Sequence, residues 1–346
     1  MEAKSFAQWI AFSPFIFQAT TVLRDLGILD AISNTDDRGM SIEEITKLTN
    51  ISTYGIKVLL DFGINIGLVK KIDNLYVLGM TGYFILQDEM TKVNMDFTQD
   101  ICYLPLKNLK ESIQEESAVG LKTFGPWNTL YEGLMLLPED AKRSWLNFDH
   151  YYSDKAFNEC LSIVFEEPVR ELLDIGGNTG RWAKRCFKHN PDVRVTIMDL
   201  PQQLTAATSE IMSAGYSDRF NPYPINILDD ITTPFYKDAD VIWMSQFLDC
   251  FSEQEILSIL KRTSAVMNEN TKLYIVELFC DRQKFSTAEF SLNATSLYFT
   301  CVANGKSRMY PSADILEIIH KAGLTVVKDI NDIGIGHTVL VCKLAI

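Results

Sequence analysis

A glycine-rich turn that opens with an acid is the clearest chemical signal in the sequence. It reads Asp174-Ile175-Gly176-Gly177-Asn178-Thr179-Gly180 and ends a short apolar run. Glycine has no Cβ atom, so it permits the positive φ angles and the close backbone approach that a cofactor needs where a strand ends. A second acid, Asp199, ends the next apolar run, at a place where a carboxylate suits a ribose diol.

The glycine spacing distinguishes two classes of cofactor. The dinucleotide pattern G-x-G-x-x-G is not met, because its third position is Asn178 when counted from Gly176 and Thr179 when counted from Gly177. An acid with D-x-G-G-x-x-G spacing instead suits S-adenosylmethionine, whose positively charged amino-acid end has no phosphate to place at a helix N-terminus. We therefore predict S-adenosylmethionine as the cofactor. The alternative is a glycine turn that only packs a helix against a sheet.

The pattern around this turn alternates between strands and helices. Short apolar or β-branched runs occur at 171–175, 194–198, 240–244, 272–278 and 338–344. Amphipathic helical patterns between them occur at 180–189, 202–214, 253–267 and 312–322. Such alternation predicts an α/β domain with a parallel, doubly wound sheet.

The first hundred residues have a different pattern. Helical spacing of apolar residues leads to Ser41, which forms a predicted capping box with Glu44, and to a further helical run from Ser52. Two short apolar strands around Asp73-Asn74 then predict a hairpin. Two helices and a hairpin are typical of a winged-helix module.

A winged helix raises the possibility of DNA binding. Residues 1–100 hold 8 Lys and Arg against 13 Asp and Glu, whereas a DNA-binding module needs cations that contact phosphate. This charge balance favours a module for dimerisation over a transcriptional regulator or a scaffold. We expect three parts, at 1–100, at 101–165 (a helical, aromatic-rich segment that contributes to a substrate pocket) and at 166–346.

Composition excludes several other classes of protein. The net charge of −13 disfavours nucleic acid and anionic membranes as partners. The seven cysteines are dispersed without a C-x-x-C motif, and only four histidines are present, so we expect reduced thiols and no metal site. Because we find neither a secretory signal nor an apolar run long enough to span a membrane, we expect a cytoplasmic protein.

The order of several motifs resembles a known family over nearly the whole chain. These motifs are the glycine turn, Asp199-Leu200-Pro201, Leu26-Gly27-Ile28-Leu29-Asp30 and Gly305-Lys306-Ser307-Arg308. Together they resemble the class I S-adenosylmethionine-dependent O-methyltransferases of the caffeate, hydroxyneurotransmitter and polyketide-tailoring type. The resemblance implies a homodimer in which the N-terminal domain forms the dimer and helps to wall the substrate pocket of a Rossmann-like catalytic domain.

The resemblance also assigns roles to individual positions. Asp199 is expected at the ribose hydroxyls, Leu200 beside the adenine, and Asn226 where the family usually has an Asp. The full set of expected cofactor residues is Ser153, Asp174, Gly176, Gly177, Gly180, Asp199, Leu200, Asn226, Ile227 and Ser245. The resemblance places His150 and Tyr151 in the substrate pocket.

The catalytic base departs from the family pattern. The family's L-H-D-W is Leu248-Asp249-Cys250-Phe251 here, so Asp249 stands at the histidine position. One orienting acid is kept as Glu277, and the other is replaced by Ser307. An ordinary Asp, with a pKa of about 3.9, is a weak base toward a phenol of about 10 unless burial raises it. Asp249 could act together with Glu277, or be only a solvated loop acid, and His150 is either a substitute base or a structural residue.

Three functions therefore stay open at this point. The first is methyl transfer to a hydroxyl of a small aromatic or polyketide-like compound, or to a ring carbon beside a phenol. The second keeps the cofactor but performs hydroxylation or decarboxylation, as in relatives that lost the histidine. The third is a winged-helix regulator or a scaffold dimer. The first is our prediction.

Overall fold

The computed structural model describes residues 2–35, 38–228 and 235–345. Two compact units divide the chain, Met1–Asp96 and Phe97–Ile346. The segment 101–165 lies within the second unit, so the structure does not separate it as a part of its own.

The first unit is mainly helical. Its elements are α1 (Ala3–Ala11), α2 (Ser13–Asp25), α3 (Ile28–Ser33), α4 (Ile42–Thr49), α5 (Thr53–Asn65), β1 (Val69–Ile72), β2 (Leu75–Leu78), α6 (Met80–Gln87) and α7 (Glu89–Phe97), whose last residue belongs to the second unit. The predicted capping box is confirmed, because the Ser41 hydroxyl accepts from the Glu44 amide and the Glu44 carboxylate accepts from the Ser41 amide. The predicted hairpin is also confirmed, with β1 and β2 antiparallel around Asp73.

The second unit is built on a seven-stranded sheet. Its strands are β3 (Glu171–Ile175), β4 (Arg194–Asp199), β5 (Phe220–Pro224), β6 (Val241–Ser245), β7 (Lys272–Glu277), β8 (Leu324–Ile333) and β9 (His337–Leu344). They are ordered β5-β4-β3-β6-β7-β9-β8. Its helices are α8 (Leu109–Glu115), α9 (Leu130–Gly133), α10 (Glu139–Val164), α11 (Arg181–His189), α12 (Pro201–Ser213), α13 (Glu253–Ser264), α14 (Ser286–Tyr298) and α15 (Ser312–Lys321).

The predicted α/β domain with a doubly wound sheet is confirmed, and the sheet is mostly parallel. Strands β3 to β7 are parallel, whereas β9 runs antiparallel to both β7 and β8. The reason is the short link between β8 and β9, at residues 334–336. A parallel pair would need a crossover of a dozen or more residues, so a link of this length can only form a hairpin.

Both faces of the sheet are covered. Leu173 and Ile175 on β3 pack in one apolar core with α13 and α15, and the intervening Leu172 packs in another with α10, α11 and α12. Side chains alternate between the faces of a strand, so these apolar runs are continuous because both faces are buried. A third core joins α10 to α14 through Phe97, Phe148 and Tyr298, with Phe97 stacked on Phe148 at 4.0 Å between ring centroids.

Within the described residues, no single helix is long and apolar enough to cross a membrane, while the bent pair Ala3–Ala11 and Ser13–Asp25 meets the length and composition criteria when taken together.

Candidate active site

A cavity of about 290 Å³ lies at the carboxyl ends of the parallel strands in the second unit. Its wall includes the turn after β3, the ends of β4 and β6, and residues of α10 and α14. Ligands of open α/β sheets bind at this edge because the loops that follow the strands meet there. The sheet therefore brings together the chemical residues that lie far apart in the sequence.

The glycines of the turn pack tightly against other side chains of the protein. Gly176 has a φ of +78°, and a Cβ atom there would lie 2.3 Å from the Phe247 ring. A Cβ atom at Gly177 would lie 2.6 Å from Oδ2 of Asp174. Any larger residue would therefore fill this part of the turn. Gly180 is the N-cap of α11 and is not among the described residues of the cavity wall.

Asp199 fixes the turn to the end of β4. Its Oδ2 accepts from the Asn178 amide at 2.8 Å, and its Oδ1 accepts from the Leu200 amide at 2.7 Å. Burial raises the pKa of Asp199 to about 6, and the two donated hydrogen bonds oppose that rise. Asn178 has a φ of +49°, a left-handed conformation that Asn tolerates better than most residues.

Asp174 has an unsatisfied oxygen beneath the same turn. The side chain is only 2% exposed, and its Oδ2 has no hydrogen-bond partner among the described residues. Burial, and then the charge of Asp199, raise the pKa of Asp174 well above its usual value. Because a buried polar group without a partner is costly, this oxygen fits a ligand that brings a donor or a positive charge.

The other expected cofactor residues also lie on the cavity wall. These are Ser153, Leu200, Asn226, Ile227 and Ser245. Asn226 uses part of its side chain locally, since its Oδ1 accepts from the Leu228 amide at 3.2 Å. The donors, acceptors and the glycine cradle fit a cofactor with a ribose and a cationic end, as S-adenosylmethionine has.

Asp249 lies in a short helical turn, Leu248–Cys250, and is 7% exposed on the cavity wall. Burial raises the pKa of Asp249 to about 6. The Cys250 thiol donates to its Oδ1 at 3.5 Å. Asp249 is therefore a buried carboxyl that titrates closer to neutral pH than an ordinary Asp.

Glu277 lies behind this turn and is not part of the described cavity wall. It is 3% exposed, and its Oε1 accepts from the amides of Phe247 at 3.0 Å and Leu248 at 2.8 Å. Burial, and then the charge of Asp249, raise the pKa of Glu277 well above its usual value. Glu277 thus holds the backbone of the turn that carries Asp249.

Helix α10 presents a third carboxyl, Asp149, to which the sequence interpretation gave no role. Asp149 lines the cavity, and Asn178 donates from Nδ2 to its Oδ2 at 3.2 Å. Burial, and then the charge of Asp249, raise the pKa of Asp149 to about 7. Helical spacing was the available signal, because Trp145, Asp149 and Ser153 are four residues apart and all three line the cavity.

The two expected substrate-pocket residues lie in different places. His150 is on the cavity wall, with its Nε2 3.3 Å from the Thr179 hydroxyl, and burial lowers the pKa of His150 to about 4. Tyr151 is outside the described cavity wall and packs edge-on against Tyr152 at 5.4 Å. The reason is helical geometry, since Tyr151 is two residues from Asp149 and therefore points to nearly the opposite side of α10.

Comparison with known proteins identifies the family. A family model described as an O-methyltransferase domain matches residues 152–325. The chain belongs to the O-methyltransferase family. A model described as a Dimerisation2-like domain matches residues 4–76 of this chain.

Individual relatives are distant. Norreticuline-7-O-methyltransferase of Papaver somniferum is 25% identical over 227 residues, which cover 64% of this chain and 59% of that relative. The 3-hydroxy-5-methyl-1-naphthoate 3-O-methyltransferase of Streptomyces sahachiroi is 22% identical over 163 residues, which cover 47% and 45% respectively. The chain thus spans about half the length of these curated relatives.

Solved structures support the same fold. The S-adenosylmethionine-dependent methyltransferase SibL, in its apo form, has a TM-score of 0.75 at 21% identity, with 99% of both chains covered. The O-methyltransferase NcsB1 from neocarzinostatin biosynthesis, in complex with S-adenosylmethionine and 2-hydroxy-5-methyl naphthoic acid, has a TM-score of 0.70 at 16% identity, with 95% of this chain and 96% of that one covered. At these identities the likeness shows the fold alone.

Ser307, at the position where the resemblance expects a glutamate, has a structural role. Ser307 is buried, and its hydroxyl accepts from Nδ2 of Asn304 at 2.8 Å. The same Nδ2 donates to the Cys250 carbonyl at 2.8 Å, and Asn304 lines the cavity. Asn304, which also contacts Ser307, therefore hydrogen-bonds to the backbone of the Asp249 turn at Cys250. Glu277 hydrogen-bonds to the backbone of the same turn at Phe247 and Leu248. Asn304 directly precedes the motif Gly305-Lys306-Ser307-Arg308, and that position was the available sequence signal.

Proposed function

We propose that this chain transfers the methyl group of S-adenosylmethionine to a hydroxyl of a small aromatic compound. The observation that carries the proposal is one cavity that holds both the glycine turn with Asp199 and the buried carboxyl of Asp249. Its remaining wall includes the aromatic side chains of Trp145, Phe148 and Tyr298. Such a wall suits a flat ring.

Different residues of the chain are proposed to bind different parts of the cofactor. When bound, S-adenosylmethionine supplies a methyl group on a positively charged sulfur. Asp199 would accept from the ribose hydroxyls, and the unpaired oxygen of Asp174 fits the donors of the amino-acid end. Gly176 and Gly177 would let the backbone approach closely.

Asp249 is proposed as the base that accepts the hydroxyl proton. A pKa of about 6 brings it closer to a phenol, with a pKa of about 10, than an ordinary Asp, while leaving it ionised at neutral pH. Glu277 and Asn304 would act through the backbone of the Asp249 turn rather than on the substrate. General-base help of this kind contributes roughly 10²- to 10⁴-fold in rate.

The functional test supplies the protein with S-adenosylmethionine carrying an isotope-labelled methyl group and a panel of phenols. A matched control for each phenol is the same compound already methylated on oxygen. The proposal predicts label in the phenols and none in the ethers. Label on a ring carbon, or an acceptor that is hydroxylated or decarboxylated without label, would overturn O-methylation.

Finer features of the whole protein are proposals as well. We propose a homodimer formed through a winged-helix-like first unit, because α1 and α2 expose large apolar side chains: Phe6, Trp9, Ile10, Phe12 and Phe15. We also propose a cytoplasmic location, which is supported by seven cysteines that are all free thiols. Light scattering after gel filtration tests the dimer, and cell fractionation tests the location.

A further inference from the structure

The acceptor side of the cavity carries more acid than the proposed reaction requires. Asp149 and Asp249 both line the cavity, and the charge of Asp249 is the second cause, after burial, of the raised pKa of Asp149. The described residues place no Lys, Arg or His nitrogen within ion-pair distance of either carboxylate. Of the cationic wall residues, Arg181 is paired with Asp154, although its charge also lowers the pKa of Asp149, and Lys306 is exposed.

Gln203, elsewhere on the cavity wall, has a side-chain oxygen that also lacks a hydrogen-bond donor among the described residues. Gln203 is 4% exposed, and its Nε2 donates to the Tyr131 carbonyl at 3.0 Å. Its Oε1 is buried and has no hydrogen-bond partner within the described part of the chain. An amide oxygen can only accept, so a ligand that satisfies Gln203 must donate.

Aromatic side chains that lie near Asp149 in the sequence also line the cavity. Trp145 and Phe148 precede Asp149 on α10, and both line the cavity together with Phe97. A cation over an aromatic face is stabilised by the ring quadrupole, and more strongly when water is excluded. Carboxylates, an amide acceptor and ring faces in one cavity are the chemistry that recognises an organic ammonium group.

We infer that the methyl acceptor is an aromatic hydroxyl compound that also carries a positively charged amine, with Asp149 receiving the amine and Asp249 the hydroxyl. This inference rests on the proposed methyl transfer and narrows its substrate class. The ammonium group relieves the repulsion between the two carboxylates when it binds. A carboxylate in its place adds a third negative charge, so Asp149 is a specificity-determining residue.

The test compares three phenols that share a ring and differ in the charge of the para substituent. Tyramine is the cation, para-propylphenol is neutral, and para-hydroxyphenylpropionate is the anion. Each is titrated calorimetrically at pH 7.5 into full-length protein saturated with S-adenosylhomocysteine, which cannot react. We expect tyramine to bind about tenfold more tightly than the neutral phenol, as a charge-assisted hydrogen bond provides, and the anion to bind most weakly.

Two comparisons assign the preference to Asp149. Asp149→Asn should reduce the affinity ratio of tyramine to the anion by at least about tenfold. Asp140→Asn, an exposed position on the same helix, should leave that ratio unchanged. Independently of any variant, lowering the pH to 5.5 should weaken the wild-type preference, because Asp149 and Asp249 both become largely protonated while the amine stays charged.

The outcomes distinguish the amine inference from the proposed methyl transfer on which it rests. If S-adenosylhomocysteine binds and the three phenols bind equally, or the anion binds best, the amine inference is overturned while methyl transfer stands. A preference that survives Asp149→Asn would overturn the role of Asp149. If neither the cofactor product binds nor any phenol is methylated, the proposed function itself fails.

Discussion

Asp149 and Asp249 face one cavity from different elements, the long helix α10 and the turn after β6. Burial, and then the negative charge of Asp249, raise the pKa of Asp149 to about 7. Asn178 links this pair to the cofactor end of the site, because its side chain donates to Asp149 and its backbone amide donates to Asp199. The proposed cofactor and acceptor subsites are thus joined by one residue of the glycine turn.

The first prediction concerns pH and stability. Asp149 has its pKa raised from 3.8 to about 7, so folding binds a proton between these values, and the native state loses stability as pH rises through that window. Asp149→Asn should therefore be more stable than wild type at pH 8 and equally stable near pH 4. The upper limit is about 4 kcal/mol, and partial exposure reduces our expectation to about 2 kcal/mol. Denaturant unfolding of both proteins across this pH range measures the difference.

The second prediction concerns the glycine cradle. Gly176→Ala combines left-handed backbone strain with a Cβ atom 2.3 Å from the Phe247 ring. Cofactor affinity should fall at least about tenfold, and unfolding free energy by about 2 kcal/mol or more. Gly215→Ala is the matched control, because its φ is +81° but a Cβ atom there meets nothing within 4 Å. Equal effects of the two variants on cofactor affinity would argue against a cradle.

A third prediction concerns the backbone of the Asp249 turn. Glu277→Ala removes the acceptor of the Phe247 and Leu248 amides and leaves both without their partner. We expect a loss of about 2–4 kcal/mol in unfolding free energy, since each unsatisfied buried donor costs about 1–3 kcal/mol. Glu277→Gln keeps an oxygen in the same place and should lose less than half as much. Thermal or urea unfolding at pH 7 distinguishes them, and similar losses would contradict the positioning role.

A fourth prediction concerns Asn304, which joins Ser307 to the Cys250 carbonyl. Asn304→Ala should lower kcat by roughly tenfold, because a misplaced base costs rate through geometry. Cofactor affinity should change by less than about twofold if the residue acts only on the Asp249 turn. Steady-state kinetics combined with cofactor titration measures both quantities. If the variant lost only cofactor affinity and kept its kcat, the proposed role of Asn304 at the Asp249 turn would be contradicted.

The sequence predicted those features that depend on local patterns. The strands at 171–175, 194–198 and 272–278 were readable because buried strands in a parallel sheet form continuous apolar runs. The sequence analysis missed strand β5 because Phe220–Pro224 holds two prolines. The strand lies at the sheet edge, where proline is tolerated. The sequence analysis missed strand β8 because it lies at the other edge of the sheet, where every residue between its two buried ends is exposed or half-buried.

The candidate site likewise has a part that local sequence patterns predicted and a part that they did not. The glycine turn and Asp199 were readable because one loop and the strand beside it carry them. The place of Asp149 in the site could be predicted only from knowing which face of α10 meets the cavity. The place of Gln203 could be predicted only from knowing that the start of α12 meets Tyr131. Such tertiary contacts are set by packing between distant segments, so no local motif encodes them. Tyr151 likewise lies outside the described cavity wall because of the face of α10 on which it stands.

The pH dependence of methyl transfer in wild type and Asp249→Asn tests the central claim most directly. With a phenol acceptor and saturating cofactor, wild-type kcat should rise with pH through an inflection near the Asp249 pKa of about 6 and level off roughly one pH unit higher, as Asp249 becomes ionised. Asp249→Asn should transfer methyl at least about a hundredfold more slowly and lose that inflection, while its affinity for S-adenosylmethionine stays within about threefold of wild type. A variant that keeps both the rate and the pH profile of wild type would contradict an acid-based methyltransferase centred on Asp249.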